Sequence, residues 1–317
     1  MLPRSRVPAV PPAVLVLPAV LALLALLVTG CSGGDGQSGG GPPPATATPT
    51  AAGARALVSV VQEGSEPRRV LALSPTAGAV TEADLSIAQR VTSDGRAADV
   101  PELTVPVTTT VEAATAEQVE ATCAYGEPRV RAEGSPAAEV ERVRQAVAGL
   151  AGTTTDVAVL ADGTTDGGPD GPGTAAPDDA AAAGPARQAG VLLRRLVPVW
   201  PTSPVGPGAS WTVTSVVRVD GADVDEVATY TLESLDGDDY VLGLAVQQVY
   251  RAGEVAGVEV RSGRGTAGGR LTGSLGRLLP GSASVDLATQ VSYVVDGQVQ
   301  QVATTVSTEL GEAVTPD

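Results

Sequence analysis

The sequence predicts a mainly β protein of the α+β class: an antiparallel curved sheet or partly open barrel, built from β-hairpins, with two central helices. Three observations carry that expectation. Asp-Gly pairs recur at Asp94-Gly95, Asp220-Gly221, Asp236-Gly237 and Asp296-Gly297, between runs in which Val, Thr and Leu alternate with polar residues. This is the strongest short-range signal for a tight hairpin. Two stretches near the middle of the chain change to helical spacing instead. Finally, 43% of the 317 residues are hydrophobic but only 2% are aromatic, with no Phe, two Trp and five Tyr, so any core is built from Val, Leu and Ala.

The hairpins follow in order. Ala83 to Ser93 alternates Leu85, Ile87 and Val91 against polar neighbours, turns at Asp94-Gly95 and continues toward Val107. Trp211, Val213, Val217 and Val219 share one face of a strand that turns at Asp220-Gly221 and returns through Val227 to Leu235. The turn at Asp236-Gly237 leads into Tyr240, Leu242, Leu244 and Val246 on one face, in a strand reaching Tyr250. Val285 to Val295 turns at Asp296-Gly297 and returns through Val302, Thr304, Val306 and Leu310. The segment beginning at Ala83 can be laid over the one beginning at Ser284, as a duplicated β-module or as convergent Val-rich composition. Residues 55–317 then form one β-rich domain, divisible into β modules 55–132 and 198–317 joined by a helical region, 135–197.

In that central region Ser135-Pro136 opens the first helix with an N-cap and a Pro at the first position. Val140, Val143, Val147 and Leu150 repeat at helical spacing up to Gly152. A short strand covers Asp156 to Ala161. Gly163 to Pro185 is Gly, Asp, Pro and Ala in low complexity and reads as a disordered loop. The second helix is expected over Ala186 to Val197, with Val191, Leu192, Leu193 and Leu196, stopping before Pro198.

The first thirty residues read as an export leader. Arg4 and Arg6 supply positive charge, Val7 to Val28 is almost wholly apolar, and the run closes with Val28-Thr29-Gly30-Cys31. This resembles the lipobox of bacterial lipoprotein precursors. The resemblance implies diacylglycerol attachment at Cys31, cleavage after Gly30, and acylation of the new amine. The competing reading is an uncleaved transmembrane helix, since about 20 apolar residues span a bilayer; Pro8, Pro11, Pro12 and Pro18 disfavour it. The expected partner is therefore the membrane, through a Cys31 lipid anchor, with the chain on the extracytoplasmic face of the cell membrane. Ser32 to Ala54, rich in Gly and then Pro, reads as a flexible tether. Removing Arg4 and Arg6 with the leader leaves 18 basic against 36 acidic residues, a formal charge of −18. Such a surface repels nucleic acid, so no nucleic-acid partner is expected.

Composition also limits the chemistry. All twenty basic residues are Arg, and there is no His, Lys or Asn. That removes serine–histidine and cysteine–histidine catalysis, histidine-ligated metals and phosphate-loop lysines. A G/C-rich genome accounts for the same absences, yet the chemistry is excluded either way. No enzyme activity, cofactor or metal is expected. Gly263-Arg-Gly265-Thr-Ala-Gly268 has dinucleotide-loop spacing but lacks the following helix that holds a pyrophosphate, so it reads as a bent strand. Asp162, Asp166, Asp170, Asp178 and Asp179 lack the ligand order of a calcium loop and read as a solvated linker. With Cys31 acylated, Cys123 is the only thiol, expected as a small buried hydrophobe.

Trp211, Tyr230, Tyr240 and Tyr250 fall in consecutive strands, and with Leu193 of the second helix they are the candidate residues for an apolar ligand, although such residues more often simply fill the core. Upstream of the first of these strands, Pro204-Val-Gly-Pro-Gly-Ala-Ser-Trp211 resembles a segment of an uncharacterised family of bacterial lipoproteins, which implies a following run of β-strands and no catalytic residues. Two functions remain open: a non-catalytic module binding an apolar or lipid ligand, and an envelope protein-interaction or structural lipoprotein without a small-molecule ligand.

Overall fold

A computed structural model of the chain describes residues 55–313 apart from 94, 166–179, 220, 256–257 and 296. The leader, Gly30, Cys31, the tether and four of the five linker aspartates lie outside the described residues.

The elements run β1 (Leu57–Gln62), β2 (Val80–Ser93), β3 (Arg96–Ala114), β4 (Gln118–Tyr125), β5 (Arg129–Val130), α1 (Ala137–Val147), β6 (Thr154–Leu160) and α2 (Ala180–Leu196). The second half contains β7 (Ser210–Val219), β8 (Ala222–Asp236), β9 (Asp239–Tyr250), β10 (Gly253–Val255), β11 (Val258–Ser274), β12 (Ser282–Val295) and β13 (Gln298–Glu312). All thirteen strands join one sheet, ordered β1-β7-β8-β9-β11-β12-β13-β2-β3-β4-β6, with β10 on β11 and β5 on β3. The mainly β expectation holds, with every pairing between named strands antiparallel.

The sheet stays open, since β1 and β6 are its edges. It nevertheless coils until the start of β1 reaches the end of β6. Arg55, just before β1, places Nη2 2.8 Å from Oδ2 of Asp162, just after β6. The crossover segments close that end: Leu73 N–H donates to Ala161 O at 2.7 Å, Arg69 N–H to Val205 O at 3.1 Å, and Trp200 N–H to Asp162 O at 2.8 Å. Within Pro204 to Trp211, Gly206 lets the two crossovers touch, since a Cβ there would lie 2.0 Å from Ser65 O.

The two β regions do not form separate sheets. They join where β13 pairs β2, and β1 crosses over to pair β7. The segments beginning at Ala83 and Ser284 flank the same strand, β13.

The hairpins form as expected, and Gly95, Gly221 and Gly297 take positive φ of 73°, 87° and 74°, which glycine adopts without a Cβ penalty. At the fourth turn Asp236 pairs Asp239, so the two loop residues are Gly237 and Asp238 and not Asp236-Gly237. The helices differ more. Pro136, not Ser135, is the N-cap of α1, which has no side-chain cap hydrogen bond. The second helix begins at Ala180, so Pro185 lies inside it instead of ending a loop. Ala180 to Ala183 are the strongest helix formers available, and they extend the helix backward through a stretch that composition assigns to linker.

The core occupies one face of the sheet. Directly paired residues on antiparallel strands share a face, and one register row reads Leu232, Leu242, Leu271, Ala283, Leu310, Leu85, Val105 from β8 to β3. None of the seven is more than 5% exposed. Leu193 of α2 is buried in the same cluster.

Candidate functional site

Moving along the strands from that row, away from the closed end, the same face changes character. The next row is Trp211, Tyr230, Leu244, Gly269, Val285, Thr308, Ile87, Leu103, and the one after is Val213, Ala228, Val246, Ala267, Leu287, Val306, Gln89. Trp211, Tyr230, Val213 and Ala228 at one end of these rows are buried, as are Thr308 and Gln89, but Leu244, Val246, Val285, Leu287, Val306, Ile87 and Leu103 are only half-buried. The main contacts of α1 and α2 are with β3, β5, β6 and each other, while Leu244, Val246, Val285 and Ile87 pack with part of their surface against the core cluster.

Another two residues along, about 7 Å further, the row turns polar: Ser215, Glu226, Gln248, Gly265, Thr289, Thr304. Gln248 is 4% exposed. Its Nε2 donates to Glu226 Oε2 at 2.7 Å, while its buried Oε1 has no partner. The opposing Gly265 makes room for that oxygen, because a Cβ there would lie 2.5 Å from it.

This explains the glycine-rich stretch that has nucleotide-loop spacing. It is the middle of β11, with no phosphate-binding turn. Gly263, Gly265 and Gly273 face Tyr250, Gln248 and Tyr240 of β9 in direct register, and each larger side chain lies across its glycine. Aromatic side chains over strand glycines restore packing that the missing Cβ loses.

The five residues expected to meet an apolar ligand do not form one group. Leu193, Trp211, Tyr230 and Tyr240 lie in the packed cluster at the closed end, together with Trp200. Trp211 stacks on Tyr230 with centroids 5.6 Å apart, Trp200 meets Tyr240 edge-on at 5.0 Å, and Trp200 meets Trp211 at 5.8 Å. Trp211 Nε1 donates to Val199 O at 2.7 Å. Burial pushes the phenol pKa values of Tyr230 and Tyr240 well above the ordinary range. Tyr250 sits at the far end of the sheet, half-buried over Gly263.

Cys123 lies in β4, fully buried, with Sγ 3.6 Å from Thr109 Oγ1, and burial pushes its thiol up to about 11. At neutral pH it is the thiol and a weak nucleophile. Asp162, the described member of the linker aspartates, accepts from Thr164 N–H at 2.9 Å, from Thr164 Oγ1 at 2.6 Å and from Arg55. Among the described residues no group of three or more Cys, Asp or Glu side chains is arranged to hold a metal ion. No described helix is long and apolar enough to cross a membrane.

The opposite face carries two adjoining open grooves of about 590 and 760 Å³ that share Glu102 and Arg131. Their arginines are engaged: Arg129 with Asp84 at 2.7 Å, Arg131 with Glu102 at 2.9 Å, Arg270 with Glu233 at 2.6 Å, and Arg90 with Asp99 at 2.5 Å. None of the five expected ligand residues lines either groove.

The half-buried strip and the Glu226–Gln248 pair were not singled out by sequence reasoning. A signal was present: in alternating strands, Gln248 and Glu226 stand at positions where an apolar residue would continue the core face. Two such breaks at paired positions mark a polar row, but the pairing is known only from the register.

No protein-family model matches this chain, and no curated protein matches it.

Proposed function

We propose that the chain is a non-catalytic, membrane-anchored lipoprotein whose β domain binds an apolar ligand on the open part of its core face. The supporting observation is the strip formed by Leu244, Val246, Ala267, Val285, Leu287 and Val306, half-buried between a fully buried row and a polar one. Aliphatic side chains without aromatic edges suit flexible hydrocarbon, and burial of such surface is worth about 25 cal/mol per Å². The aromatic cluster then holds the scaffold together and is not itself the site. In this reading Cys31 carries the acyl chains, two or more of which make anchoring stable, and the domain stands on the extracytoplasmic face.

The chain from Arg55 onward contains every described strand, both described helices and the described core. That piece, purified without detergent, is measured by native mass spectrometry with solvent extraction. A bound lipid is expected, reproducibly recovered and lost in Leu287→Glu with the circular dichroism spectrum unchanged. A clean apo mass in the unaltered protein overturns the carrier reading. For the anchor, labelled fatty acid is expected to enter the whole chain and to be lost in Cys31→Ser.

A second reading, an envelope protein-interaction role, has its own observation. Edge strand β1 leaves Leu57 and Val61 65% and 68% exposed, and an uncovered edge invites pairing with another chain. Cross-links from β1 to a partner, together with an apo mass, would favour it.

A further inference from the structure

We infer that the polar row at the end of the aliphatic strip recognises the head of an amphiphile, and that this head is a hydrogen-bond donor without negative charge, a hydroxyl or an ammonium. The inference rests on the apolar-ligand reading and deepens it. Gln248 Oε1 is an acceptor inside the protein with no partner, whereas most buried polar atoms are paired. The orientation of the amide is set by Glu226. A carboxylate only accepts, so the NH₂ end must face it, as it does at 2.7 Å, and the carbonyl end faces away.

The oxygen lies over Gly265 and fills the position a Cβ would take, and Thr289 follows Gly265 in the same row. A ligand head arriving there meets an unpaired amide oxygen beside a carboxylate. A donor satisfies the first and is attracted or tolerated by the second. A carboxylate or phosphate head would set acceptor against acceptor beside Glu226, which the low local dielectric makes unfavourable. The tail runs from this row back along Val246, Leu287 and Leu244 toward the buried leucines, two residues of strand per row.

The test compares four probes of ten or eleven carbons, each below its micelle or solubility limit, by calorimetry on the chain from Arg55 onward. They are 1-decanol, decylamine, decyl methyl ether and decanoate. Decanol or decylamine is expected to bind roughly tenfold or more tighter than the ether, the size of one buried acceptor gaining its partner. Decanoate is expected to bind weakest. A preference for decylamine over decanol assigns the head as ammonium, and the reverse as hydroxyl. Gln248→Leu is expected to bring the donor probes down to the ether's affinity and to leave the ether unchanged, which also shows that the fold survives. Glu226→Gln, which keeps an acceptor for Gln248 Nε2, is expected to raise decanoate binding.

Equal affinity for ether, decanol and decylamine in the unaltered protein overturns the head-group inference while leaving the apolar strip standing. Absence of binding for all four probes overturns the strip itself, and the inference with it.

Discussion

The two ends of one sheet face make a natural comparison. Leu242 and Leu244 are two residues apart on β9, identical in type and on the same face, yet Leu242 is fully buried and Leu244 half-buried. At the closed end, crossover segments, α2 and the Trp200–Trp211–Tyr230–Tyr240 cluster fill the space that the coiled sheet encloses. Past that cluster the face stays aliphatic for two rows and then turns polar. Along one open sheet, the same face is therefore tightly packed under the aromatic cluster and only half-buried in the two rows that follow.

Four measurements break or sharpen this contrast. The largest effect is expected for Trp211→Ala, which removes a fully buried ring stacked on Tyr230 and a hydrogen bond to Val199; urea unfolding should show a loss of about 3–5 kcal/mol. Next comes the pair on β9. Leu242→Ala should lose about 2–5 kcal/mol, and Leu244→Ala about half as much or less, because part of its surface already meets solvent. Equal losses would mean that the strip is as tightly covered as the core.

The third is alkaline. The Cys123 thiol titrates near 11 in the folded protein against 9.0 for an unburied group. Its contribution is fully present below pH 9, and it is lost as pH rises toward 11, because only the unfolded chain gains the thiolate. That loss is on the order of 2–3 kcal/mol. Tyr230 and Tyr240, also raised by burial, add to the decline from the ordinary phenol value of 10.0 upward. Cys123→Ala should flatten the curve between pH 9 and 10 and leave the tyrosine-driven fall above it, as followed by denaturant titration at stepped pH. The smallest effect belongs to the opposite face. The Arg90–Asp99 pair is well placed at 2.5 Å but solvent-exposed, and Arg90→Gln should leave the unfolding midpoint where it was.

Much of this architecture is legible from local signals. Three of the four Asp-Gly hairpins turn where alternation and turn chemistry put them, and the fourth is shifted by one residue, because a two-residue loop between strands of period two is decided by residues adjacent in sequence. Where expectation missed, non-local terms decided. Composition assigned Pro185 to a linker, yet α2 starts upstream of it. For the aromatic residues in consecutive strands the sequence left ligand lining and core filling both open, with core filling the commoner role; Trp211, Tyr230 and Tyr240 are in the core cluster, and Tyr250 is three rows beyond Leu244 on the same strand face. The glycines of β11 were recognised as a bent strand; what they accommodate, Tyr250, Gln248 and Tyr240, follows only from register with β9.

By itself, then, the amino-acid order determined the strands, their turns, an aliphatic core and the exclusion of histidine and lysine chemistry, all properties of residue type and near neighbours. Only the tertiary structure decided that β1 leaves its neighbours to pair β7, that β13 joins the two β regions into one open sheet, and that Gln248, Glu226 and Gly265 share a row. Those facts depend on pairing between residues far apart in the chain, and spacing along a sequence does not encode which distant strand completes a ladder.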